Sequence, residues 1–171
     1  MTPENATYLL NFLLPTIENE SQITRKVIGA ILETKRDYKP DPNSRTALEL
    51  AWHIAHSDVW FLEGVCNGEF ATGGEAMPAD IKGVANVLAW YDKNFPAALA
   101  RLKALPAEKL AQPTDFLGFM KIPAVGYLML LNNHGIHHRG QLATYLRPMG
   151  SKVPSIYGGS FDEPMKMEAG A

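Results

Sequence analysis

Asn132-Asn133-His134-Gly135-Ile136-His137-His138-Arg139-Gly140-Gln141 sits inside a segment whose apolar residues recur at helical spacing, from Tyr127 through Leu131 to Tyr145. Three of the chain's five histidines fall within it. On a helix His134 and His138 lie one turn apart on the same side, so both rings can reach one metal ion. The helical wheel sets His134 beside Tyr127 and Gln141, and lines His138 up with Leu131 and Tyr145. This stripe follows a core-facing register, yet five of its six members are polar or amphipathic. Leucine and isoleucine would fill a plain core face. Burying that much polarity costs free energy unless a ligand, metal or water satisfies it. His137 falls to one side, near Leu130 and Thr144.

The remaining histidines, His53 and His56, lie on an earlier helical segment, so all the histidine is carried by two helices. A helix advances about 100° per residue. Measured from His53, Thr46 and Trp60 fall within about 20°, and Leu50, Ser57 and Phe61 within about 80°. His56 points about 60° the other way, among Arg45, Glu49 and Glu63. The wheel predicts an inward His53 and a solvated His56.

Around these two segments the pattern is helical throughout. Pro3 and Glu4 suit a first turn, and apolar residues recur from Tyr8 to Leu32. Pro15 interrupts that run, which predicts either two helices or one kinked helix. A loop at 39–43 precedes Ser44, a suitable N-cap for a helix over 45–66 that stops near Gly68. Residues 68–78 read as loop. A third helix is predicted over 79–104 with a kink at Pro96, then one turn at 107–110. Residues 112–121 read as a loop placed to cover something. The fourth long helix is predicted to start near Pro123 and end near Pro148-Met149-Gly150. The tail from Ser151 is Gly/Pro-rich; Val153, Ile156, Tyr157 and Phe161 suit packing back, with fraying from Met165. No strand alternation or internal repeat is visible. Four long helical patterns with short connections predict an all-α four-helix bundle, one domain over 1–171, with an irregular tail packed on it.

Composition narrows the function. The 171 residues are 46% hydrophobic and 20% charged, with net charge −2. No basic excess serves a phosphate backbone, which argues against nucleic acid. No apolar run approaches the roughly 20 residues of a membrane span, and the start of the chain lacks a basic signal region. A single cysteine, Cys66, excludes an internal disulfide and reads as a structural or incidental thiol. These features predict a cytoplasmic protein.

The chemistry rests on His53, His134 and His138. Each offers one neutral imidazole nitrogen, and three protein ligands leave positions open for water and substrate, as in a catalytic rather than a structural site. The competing reading is that helix histidines at this spacing hydrogen-bond polar groups of the core. Other constellations fail. A zinc protease needs Glu directly after the first histidine, where this chain has Gly135. No inward Glu-x-x-His serves a di-iron bundle. Gly73-Gly74 and Gly158-Gly159 lack the Gly-Lys-Ser of a phosphate loop, and no Gly-x-Ser-x-Gly elbow occurs. Trp52, Trp60 and Trp90 read as core or interface residues.

Several motifs resemble the DinB/YfiT-like family of metal-dependent helical bundles. They are Ala51-Trp52-His53-Ile54-Ala55, His134-x-x-x-His138-Arg139-Gly140-Gln141-Leu142, and Tyr145-Leu146-Arg147-x-x-Gly150-x-x-Val153-Pro154-x-x-Tyr157-Gly158. The resemblance implies a four-helix bundle, often a homodimer, with a divalent ion (Zn, Ni, Fe or Mn) on His53, His134 and His138. It implies that Arg139 and Gly140 belong to the motif, with Gly140 permitting close helix packing. Some members are transferases or isomerases that use a low-molecular-weight thiol. The expected activity is therefore thiol transfer to a small electrophile, with metal-assisted hydrolysis second. A non-catalytic, stress-related metal-binding protein is the reading from a different class. Tyr127, Gln141 and Tyr145 are the expected substrate-orienting or ligand-orienting residues.

Overall fold

The computed structural model describes residues 1–73 and 76–165. Helix α1 spans Pro3–Gly29, with Thr2 as its N-cap, Pro3 in the first turn and Glu4 near the positive end of the helix dipole. It runs as one helix through Pro15. Pro15 and Asn11, four residues back, are both exposed, so water can reach the carbonyl that proline leaves without a donor.

Helix α2 spans Ala47–Asn67, and its cap is Thr46 rather than Ser44. Thr46 and Glu49 bond each other's backbone N–H groups at 3.2 and 2.7 Å. Ser44 has alanine three residues on and cannot form this reciprocal box. Helix α3 spans Val84–Lys103, starting later than the expected Ala79. Its first amide, Val84 N, donates to Glu33 Oε2 at 2.9 Å, so a carboxylate from the turn after α1 caps it. Pro96 and Asp92, four residues before it, are exposed, as at Pro15. Helix α4, Ala107–Ala111, is the expected single turn.

The segment expected to be a loop is a hairpin. Strand β1, Pro113–Phe116, pairs antiparallel with β2, Met120–Pro123, with Pro113 opposite Pro123 and Phe116 opposite Met120. Four-residue strands are too short to show an alternation in the sequence. Pro123 therefore ends a strand, and after one 3-10 turn helix α5 spans Tyr127–Leu146. Helix α2 packs on α3 and α5, while α1 packs on α5 and α3, so α1 and α2 face each other across the diagonal of a bundle.

The tail is only partly as expected. Val153 and Ile156 are half-buried against the core. Tyr157 and Phe161 are exposed, 64% and 88%, and act through charge instead. The Tyr157 hydroxyl donates to Glu20 Oε2 at 2.8 Å and accepts from Arg139, and Arg147 lies over the Phe161 ring at 5.5 Å. The fraying expected beyond Met165 concerns 166–171, outside the described residues.

Candidate metal centre

Helices α2 and α5 bring His53, His134 and His138 together. The ring centroids are 4.9 Å apart for His53–His134, 4.4 Å for His53–His138 and 4.4 Å for His134–His138. One nitrogen from each lies within 4.8 Å of the others, a group that can hold a metal ion. Ligand nitrogens about 2.0–2.1 Å from a tetrahedral ion stand roughly 3.3 Å apart, so small side-chain rotations close the set. His53 is buried and the other two are half-buried. His138 Nδ1 lies 2.7 Å from Gln141 Oε1. Glutamine oxygen is an acceptor, so Nδ1 carries the proton and Nε2 is left with the lone pair a metal takes.

The stripe is buried at Tyr127, Leu131 and Tyr145, half-buried at His134 and His138, and exposed at Gln141. Helix α5 buries Leu128, Leu131, Gly135, Arg139, Leu142 and Leu146 against the bundle, while Gln141 is exposed. Gly135, and not Gly140, marks the close approach. A Cβ at Gly135 would stand 3.3 Å from Asp58 Oδ1 on α2, whereas Gly140 faces open space. Tyr127 is buried and its hydroxyl donates to Thr114 O at 2.7 Å, fastening the hairpin to α5. Tyr145 is buried with its ring 5.9 Å from that of Tyr38. His137 is exposed, its ring edge-on to His138 at 4.7 Å.

His56 is not solvated as the wheel predicted. It is half-buried, with ring centroids 5.5 Å from Trp52 and 6.2 Å from Trp90. Trp90 belongs to α3, which a wheel of α2 cannot see. The metal-capable group nevertheless does not include His56.

A cavity of about 370 Å³ opens over His53 and His134, at the small end of ligand-pocket sizes. Trp60, Phe61, Phe116 and Leu117 wall it, with Ser57 and His56. The rings continue behind the wall: Phe116 stacks 6.0 Å from Phe61 and 5.4 Å from Tyr127. Phe70 packs edge-on to Phe116 at 4.9 Å. Phe70 needs glycine at 64, where a Cβ would meet its ring at 2.3 Å. Sequence reasoning missed Phe116 and Leu117. The available signal was Asp115-x-x-Gly118, whose carboxylate accepts from Gly118 N at 2.8 Å and closes the turn. Leu117 holds φ +53°, a left-handed conformation that asparagine or glycine adopts with less strain, while its side chain lines the cavity.

A second polar cluster braces α5 from behind. Arg139 is 1% exposed, pairs with Glu20 and donates to Glu20 O and Thr24 Oγ1, both at 3.1 Å. Asp58, also buried, accepts from Tyr91 Oη at 2.7 Å. Burial pushes its carboxyl up to about 7, against the opposing pull of the Tyr91 hydrogen bond and Arg139. Burial and the neighbouring Asp58 raise the Tyr91 phenol well above its ordinary value. Arg139 read as a motif residue in the sequence; its burial came only with α1.

Fold and site together define a helical bundle with a three-histidine group, two of whose members line a small aromatic cavity. The chain belongs to the DinB family, whose model matches residues 5–169. It is 26% identical over 158 residues to the uncharacterized protein YrdA of Bacillus subtilis, covering 90% of this chain and 91% of that one. It is 30% identical over 139 residues to the uncharacterized YjoA of the same organism, covering 79% and 87%. A solved DinB-like protein from Bacillus cereus superposes with a TM-score of 0.72 at 25% identity, over 85% of this chain and 95% of that one. The solved YjoA structure gives 0.67 at 26% identity, over 84% and 96%. Among the described residues no helix is long and apolar enough to cross a membrane.

Proposed function

We propose that the protein is a metal-dependent enzyme that transfers a low-molecular-weight thiol to a small electrophile, with one divalent ion (Zn, Ni, Fe or Mn) held by His53, His134 and His138. The convergence of three imidazoles from two helices, two of them lining a substrate-sized cavity, carries this reading. Bound there, the ion supplies Lewis acidity and lowers the pKa of a thiol or water beside it. The residues do the rest. Gln141 orients His138 and fixes its tautomer. Tyr127 holds the hairpin wall in place. Trp60, Phe61 and Phe116 keep water away from one side of the site. Three ligands also leave room for an activated water, so hydrolysis is the second reading.

The assembly we propose is a homodimer in a reducing cytoplasm, which suits a thiol substrate and the lone Cys66. The exposed Tyr8 and Phe12 on α1, 74% and 68%, offer apolar surface for such packing.

Cobalt-substituted protein tests the chemistry. Cysteine, glutathione or coenzyme A should change its visible spectrum through sulfur ligation, in a pH-dependent way because the ligand must lose its proton. No change with any of the three up to millimolar concentration sinks thiol transfer and leaves hydrolysis or a non-catalytic role.

A further inference from the structure

Two of the three clustered imidazoles, His53 and His134, line the aromatic cavity. Imidazole ligands are neutral, so a divalent ion on these histidines keeps its double charge. A thiolate beside it cancels one unit, and three protein donors leave room for a further ligand, since such sites expand to five-coordinate. The described lining holds no aspartate or glutamate to cancel the second unit. His56, the remaining imidazole of the lining, adds positive charge whenever it is protonated. Unbalanced charge is costly in a space walled by rings, so the ligand that completes the site is a monoanion. The walls decide what that anion carries. Phe61 and Phe116 lie nearly parallel, 7° between planes, with Trp60 edge-on to them at 5.0 and 5.8 Å. A small aliphatic or inorganic anion satisfies the charge and leaves these rings against water, whereas a flat ring behind the anionic head covers them. Leu117 belongs to the same wall while holding φ +53°, a conformation unfavourable for leucine, which ties its strain to the cavity.

We propose that the electrophile is an aryl-bearing monoanion, such as an aromatic carboxylate, with its anionic head at the histidine-held ion and its ring against Phe61, Phe116 and Leu117. The inference rests on the thiol-transfer reading and names the class of its acceptor. Both halves of the molecule are needed. Charge alone selects any small anion, and rings alone select any small apolar molecule.

Benzoate, benzamide and acetate separate the two halves: benzamide keeps the ring without the charge, and acetate keeps the charge without the ring. Their binding to the full cobalt-substituted chain is measured by calorimetry, and its visible spectrum reports whether a head reaches the ion. Benzoate should change the spectrum and bind at least tenfold more tightly than either acetate or benzamide. Leu117→Asn, which relieves the left-handed strain, should leave the melting temperature unchanged or higher, weaken benzoate at least threefold and leave acetate unchanged. A preference below tenfold in either comparison, benzoate binding without a spectral change, or a Leu117→Asn loss below threefold or shared equally by acetate overturns the assignment. If the protein takes up no cobalt, the metal centre and this inference fall together. If cobalt binds and its spectrum answers to thiols while benzoate shows no such preference, thiol transfer stands and only this acceptor is withdrawn.

Discussion

Replacing Asp58 with asparagine is expected to stabilise the protein, and the gain should grow with pH. Asp58 is 4% exposed on α2, five residues from His53, and its Oδ1 lies where a Cβ on Gly135 would touch it. It therefore sits at the contact that spaces the two histidine-bearing helices. Burial raises its carboxyl from 3.8 to about 7. The folded state then binds a proton more readily than the unfolded one between those values. Asp58's favourable contribution is complete below the unfolded value and is lost as pH rises toward the folded one. Integrated over the whole window, the loss is about 4 kcal/mol; between pH 5 and 8 it is about 2–3 kcal/mol. Asparagine does not titrate, and its oxygen still accepts from Tyr91. Its amide faces a void of about 10 Å³ bordered by Asn132, whose Oδ1 is buried with no hydrogen bond. For a domain of this size the advantage of Asp58→Asn should widen by roughly 5–10 °C in melting temperature between pH 5 and 8. Thermal unfolding followed by circular dichroism at several pH values measures it. A difference that stays flat across that range, or narrows, refutes the argument that a buried carboxyl is held near neutrality here.

The remaining expectations concern the site and its support. His53→Ala, His134→Ala and His138→Ala should each remove most of the bound metal in elemental analysis of tag-free protein, while His56→Ala should retain it; the reverse pattern would discard the ligand set. Gln141→Leu deletes the acceptor for His138 Nδ1 and should weaken metal affinity about 10–100-fold in a chelator competition, with unchanged affinity counting against the orienting role. Glu20→Ala leaves Arg139 buried without its carboxylate and should cost about 3–5 kcal/mol in urea unfolding; a loss under about 1 kcal/mol would show that Arg139 does not depend on the pair. Light scattering at micromolar concentrations should report a dimer, and a monomer throughout would end that proposal.

The sequence by itself determined most of the helices and named the three histidines. The helices and the His134–His138 pair are local: turn chemistry, capping residues and a spacing of four lie within a few residues of each other, and the rigid helix turns that spacing into geometry; His53 joins the pair only through the packing of α2 on α5. Even the inward placement of His53 followed from its own helix. The tertiary structure decided what one helix presents to another. Trp90 on α3 half-buries His56, which α2 alone places among charges. Glu33 starts α3 at Val84, and Glu20 on α1 makes room in the core for an arginine. The hairpin at 113–123 supplies Phe116 and Leu117 to the cavity although neither strand is long enough to announce itself. A helical wheel records the direction a side chain leaves its own axis. The cost of burying it, and therefore its role, is set by atoms that arrive from elsewhere in the chain.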